Sequence, residues 1–121
     1  MDRKTQLARL LPGDIFHASC SSSEASLICL VEEVSEARIA ARRITTQDRV
    51  CFDRTTGREI GDRAACAIDS TAPLPVPIYN TLLGLERKMR LQRDPEKFKL
   101  DRDEREALMF VGPYYRSNRL P

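Results

Sequence analysis

The chain has 121 residues, 41% hydrophobic and 31% charged. These proportions suit one ordinary globular domain and are too apolar for a disordered chain. The longest run of large apolar side chains, Leu27 to Val31, falls far short of the roughly 20 residues a membrane-spanning helix needs. The first twelve residues lack the apolar stretch of an export signal. The expectation is a cytoplasmic protein with no membrane partner.

The net charge of +2 says little, but its distribution says more. Residues 1–37 carry net −3, residues 38–63 net +3 and residues 64–121 net +2. The 20 basic residues are mostly arginine. A guanidinium fork suits phosphate recognition, while codon usage alone also enriches arginine. Of the four cysteines, Cys20, Cys29, Cys51 and Cys66, no two have C-x-x-C spacing. Without an export signal, reduced thiols acting as small hydrophobes are expected. With His17 the lone histidine, neither a structural metal nor another cofactor is expected.

Residues 1–11 suit a short amphipathic turn with Leu7, Leu10 and Leu11 on one side, stopped by Pro12-Gly13-Asp14. Ile15 to Ala18 forms a first strand, and residues 19–26 a small polar loop. The run from Leu27 to Val34 then places Leu27, Cys29 and Val31 on one face and Ile28 and Leu30 on the other. A strand buried on both sides reads this way. A helix capped by Ser26 fits the same run, because periodicity cannot separate the two over so short a stretch. The β-branched end of Arg38–Thr46 and the alternation in Arg49–Asp53 favour strands. Asp53 to Gly57 is a turn in which Gly57 supplies positive φ, and Ala64 to Asp69 makes a last short strand.

Pro73, Pro75 and Pro77 force an extended connector without P-x-x-P spacing, a spacer rather than a groove ligand. From Ile78 to about Arg93, Ile78, Leu82, Leu85 and Met89 fall on one helical stripe. Leu83 and Leu91 lie off it, free to widen the core face or touch a second chain. Asp94-Pro95 breaks this helix. Asp101 and Glu104 have capping-box spacing for another, with Ala107, Leu108, Phe110 and Val111 on its apolar side and Gly112-Pro113 as its stop. The fold expected is α+β: a small antiparallel β-meander or SH3-like barrel followed by two C-terminal helices. Residues 1–72 form the β-rich region, 73–77 the connector and 78–121 a helical extension packed on the barrel.

Candidate chemistry is sparse. His17 and Cys20, three apart at a strand–loop junction, lack an orienting third group for a nucleophilic pair. Glu32 and Glu33 are neighbours, which a strand sends to opposite faces. Neither phosphate-loop nor dinucleotide glycine spacing is present. No catalytic residue is assigned, and an enzyme is not expected. The one patch with a mechanism is the set Arg38, Arg42, Arg43, Arg49, Arg54 and Arg58, spread over one or two hairpins where exposed guanidinium groups meet nucleic-acid phosphates. It lacks the aromatic platforms of single-strand binders. Beyond the Gly-Pro stop, Tyr114, Tyr115 and Arg116 are residue types enriched at protein interfaces, although tyrosines can equally pack back on their own chain. With Leu83 and Leu91 they form the candidate partner surface. The leading expectation is a non-catalytic binding or assembly module, its partner an unidentified protein or a second copy. The alternative is a nucleic-acid-binding barrel using the 38–58 arginines.

Overall fold

The computed structural model of the chain describes residues 1–21, 26–61 and 66–121. A short helix α1 (Arg3–Ala8) precedes strands β1 (Ile15–Cys20), β2 (Ser26–Val34), β3 (Arg38–Arg43), β4 (Arg49–Asp53) and β5 (Cys66–Ser70). Helices α2 (Val76–Leu91) and α3 (Arg102–Ser117) follow, separated by a single 3₁₀ turn at Pro95–Lys97. The strands form one antiparallel sheet in the order β4-β3-β2-β1-β5, curled into a half-barrel. This is the expected α+β arrangement of a small meander followed by two helices. The run from Leu27 to Val34 and the stretch Arg38–Arg43 are both strand, joined by a short turn, so the helix alternative falls away.

The curl brings the edge strands β4 and β5 towards one another, and residues 57–60 span the gap. Ile60 donates its backbone N–H to Cys51, and Asp53 donates to Arg58, on the β4 side. Glu59 donates to Cys66, and Ile68 donates to Gly57, on the β5 side. Otherwise unpaired edge groups are satisfied in this way. Gly57 has φ +77°, and a Cβ there would lie 2.6 Å from Nη2 of Arg3. Glycine is favoured here by the backbone conformation, and a larger residue would also push aside Arg3, whose Nε donates to Thr56 O and Nη2 to Ile68 O. That clamp holds α1 across the end of the half-barrel, with Leu7 and Leu10 buried as its plug.

Two apolar clusters share the sheet. Inside the curl lie Phe16, Ala18, Leu27, Cys29, Val31, Ile39, Ala41, Phe52 and Ile68, with Phe16 and Phe52 packed edge to face. On the convex side, Ile15, Ile28, Leu30 and Ile44 meet Leu82 and Leu85 of α2 and Ala107, Val111 and Tyr115 of α3. The alternation of strand side chains assigns the apolar residues of β1 and β2 to one cluster or the other. Both strands are accordingly apolar on both faces, as the run from Leu27 to Val31 implies.

Three expectations are corrected. First, Cys20 and Cys66 are joined by a disulfide and are not reduced thiols; Cys29 and Cys51 remain free. Antiparallel pairing sets Cys20 and Cys66 directly opposite each other in β1 and β5, a proximity that chain spacing does not reveal. In the chain-entropy account, a bond across a sequence separation of 46 contributes up to about 4 kcal/mol. Second, α3 does not stop at Gly112-Pro113 but continues to Ser117. Pro113 deprives only the carbonyl four residues earlier of its partner. That residue, Met109, lies on the solvent side of the helix, where an unpaired carbonyl costs less than in the core, while burial of Val111 and Tyr115 carries the helix onward. Third, α2 begins at Val76 inside the proline segment. Pro77 falls in the first helical turn, where no N–H is needed.

The capping box is present as read. Glu104 N–H donates to Asp101 Oδ1, and Asp101 N–H donates to Glu104 Oε1. The bond from Glu104, then the ammonium of Lys88, hold the Asp101 carboxyl below its ordinary value. The polar loop at 19–26 and the strand beginning at Ala64 fall partly outside the described residues.

Candidate functional site

The six arginines of residues 38–58 occupy β3, β4 and the turn after β4, but the fold divides them. Arg42, in the middle of the outer face, makes a two-pronged pair with Glu32: Nε to Oε1 at 3.0 Å and Nη2 to Oε2 at 3.2 Å. Its Nη1 donates to Gln47 Oε1. Such forked pairs are the strongest guanidinium–carboxylate arrangement. Glu32 reaches Arg42 because β2 carries a bulge between Val31 and Glu33. Both Glu32 and Glu33 lie within β2. Arg43 is half-buried and pairs with Asp48 at 3.7 Å.

Arg54 is a structural strut. Its Nη1 donates to Ser35 O at 2.8 Å, and its Nη2 to Ala8 O at 2.8 Å and Leu10 O at 3.1 Å. One side chain thereby satisfies carbonyls at the end of α1 and in the β2–β3 turn. Arg38, Arg49 and Arg58 are exposed. Arg49 lines a shallow trough of about 380 Å³ over the outer face of β2–β4, together with Glu32, Glu33 and Glu59. The acids interleave with the cations, so the outer face of this sheet is mixed in sign rather than a continuous cationic track. Spacing in the chain hides this, because the neutralising acids come from β2 and from the 57–60 segment.

The second candidate set has also been sorted by packing. Tyr115 is fully buried, its ring stacked on His17 at 5.3 Å and edge-on to Tyr114 at 5.8 Å. It packs back on its own chain and has no surface to offer a partner. Burial first, then the neighbouring Tyr114 and Cys29, push its hydroxyl pKa up. Tyr114 is half-buried, donates to Pro73 O and stacks on Phe110. Leu83 joins the second apolar cluster. Leu91 and Arg116 remain exposed.

Sequence reasoning assigned Phe110 to the apolar side of α3 and overlooked Met109. Met109 is 76% and Phe110 39% exposed. Glu104, Ala107, Val111 and Tyr115 form the inward stripe, so the 3.6-residue period sends Met109 and Pro113 to the opposite side and Phe110 to its flank. The exposed prolines of the connector adjoin them through the Tyr114–Pro73 hydrogen bond. The signal was legible in principle: Met109 lies five residues after the N3 glutamate of the capping box, off the stripe that the box defines.

His17 sits within β1 and is buried, not at a strand–loop junction. Its Nδ1 lies 2.5 Å from Asp69 Oδ1 of β5, and Cys20 is held in the disulfide, so the two do not form a nucleophilic pair. Cys29 is sealed in the core, where burial pushes its thiol up to about 12. An open cleft of about 410 Å³ between α1, the Gly13 turn and the connector brings Arg9 and Asp14 to a rim floored by Leu10, Ile15, Leu74 and Tyr79. Among the described residues, no group of three His, Cys, Asp or Glu side chains is placed to hold a metal ion, and no helix is long and apolar enough to cross a membrane.

No protein-family model, no curated protein and no solved structure matches this chain.

Proposed function

We propose that this chain is a non-catalytic binding and assembly module that engages another protein chain, a second copy included, through the outward face of α3 and the adjoining connector. The observation that carries the reading is the exposure of Met109 and Phe110 on a helix whose other side is fully packed. Aromatic residues and methionine are enriched at protein interfaces, and a cluster of large apolar groups exposed together marks such sites more than scattered ones do. The half-barrel serves as a rigid platform, with α3 fastened to it by Tyr115, Val111 and Ala107.

A second reading, nucleic-acid binding by the sheet, rests on Arg38, Arg49 and Arg58, which stay exposed. It is the weaker of the two, because Arg42, Arg43 and Arg54 are engaged within the fold.

Light scattering after size exclusion, at low and high salt and with and without mixed-sequence RNA, separates the two readings. The assembly reading expects a mass above one chain that ignores RNA and returns to one chain in Met109→Lys/Phe110→Ser. A monomer that shifts with RNA only at low salt overturns it, because phosphate-driven binding is steeply salt-dependent.

A further inference from the structure

Strand β5 is the most thinly paired strand of the sheet. On one side it meets β1 through four partner pairs, interrupted by a shift between His17 and Ala18. On the other it has only the short 57–60 segment. Yet the C-terminal end of α3 is fastened to it. Ser70 Oγ donates to Asn118 O at 2.7 Å, and the Leu120 N–H donates to Asp69 O at 2.8 Å. Asp69 holds His17, on which Tyr115 stacks. At the opposite end of β5 from Ser70, Cys66 is bonded to Cys20.

Both of these cysteines are half-buried, unlike Cys29, which is sealed in the core. Accessible disulfides are the labile and regulatory ones, whereas sealed ones resist exchange. The bond also joins residues already paired in the ladder, so its loss removes a covalent tie without removing a strand. Cys20 and Cys66 pack against the margin of the inner core, whereas Ile39 and Phe52 pair with each other in β3 and β4. Cys29 takes no part, its thiol buried and protonated. Cys51 sits opposite Ala40 on β3, its side chain on the outer face of the sheet.

We propose that Cys20–Cys66 is a reversible redox clasp that sets how firmly β5, and with it the last turn of α3, is held to the half-barrel. This stands independently of what α3 binds. A thiolate of a dithiol reductant attacks one sulfur; the S–S bond breaks as a mixed disulfide forms, and the displaced thiolate takes a proton. The second thiol of the reductant then releases the other cysteine and closes the reductant's own disulfide. Two electrons and two protons pass from the dithiol to Cys20 and Cys66. The reverse reaction requires a small-molecule disulfide as oxidant.

The test is amide hydrogen exchange followed by mass spectrometry, on the oxidised chain, on the chain reduced with dithiothreitol, and on Cys20→Ser/Cys66→Ser. Reduction is expected to speed exchange at least tenfold in residues 66–70 and 115–120 while leaving 27–34 and 38–43 unchanged. Oxidised glutathione should restore the slow pattern in the wild type and have no effect on the double variant. A uniform acceleration over the whole chain would show a plain staple and overturn the proposal. So would exchange indifferent to reduction, or four titratable thiols after equilibration with oxidised glutathione.

Discussion

Replacing Tyr115 with phenylalanine should stabilise this protein, although Tyr115 is among its most deeply buried side chains. The ring does the packing: it stacks on His17 and closes the cluster between α2, α3 and the convex face of the sheet. The hydroxyl has no hydrogen-bond partner among the described residues. A buried donor left unpaired costs about 1–3 kcal/mol of desolvation, and Tyr115→Phe removes that cost while keeping the ring. We expect a gain of about 1 kcal/mol, a rise of roughly 4 °C in Tm for a domain of this size. Tyr115→Ala discards the ring as well and should lose about 3–5 kcal/mol. Urea unfolding followed by circular dichroism, with the slope unchanged between variants, measures both. A loss of 1 kcal/mol or more in Tyr115→Phe would refute the reasoning, since it would mean that the hydroxyl is bonded.

Arg54→Ala should cost about 2 kcal/mol by releasing the carbonyls of Ala8, Leu10 and Ser35, because hydrogen bonds to charged groups contribute about 1.5–3 kcal/mol; the exposed Arg38→Ala should stay within about 0.5 kcal/mol of wild type in the same urea titration. The carboxyls of Asp2, Asp53 and Asp101 are each held below the ordinary 3.8, chiefly by hydrogen bonds from residues at helix starts or in a turn. Native carboxyls so lowered bind fewer protons than unfolded ones, so their contribution is complete above about pH 3.8 and disappears as pH falls through the lowered native values. Unfolding midpoints measured from pH 5 to pH 2 should therefore fall, and Asp101→Asn should flatten the descent.

Local pattern carried much of this fold. The double-faced apolar run of Leu27–Val31, the turn at Gly57 and the capping box of Asp101 and Glu104 each lie within a few residues, and each reads out a period or a backbone requirement that neighbours alone impose. The strand–turn rhythm and the stripe of Ile78, Leu82, Leu85 and Met89 are of the same kind. What the chain order could not show is which distant groups meet. The Cys20–Cys66 bond exists because β1 and β5 become neighbours across 46 residues of sequence. The arginines of residues 38–58 read as a cationic stripe until β2 brings Glu32 to Arg42 and the end of α1 brings its carbonyls to Arg54. Pro113 reads as a stop because a proline costs a helix its hydrogen bond, yet burial of Tyr115 against His17 outweighs that one lost bond. Sequence thus determined the elements and their faces, which local sterics and periodicity dictate. Tertiary structure alone decided which charges are spent and which thiols are joined, because those outcomes depend on the contact partners that folding supplies.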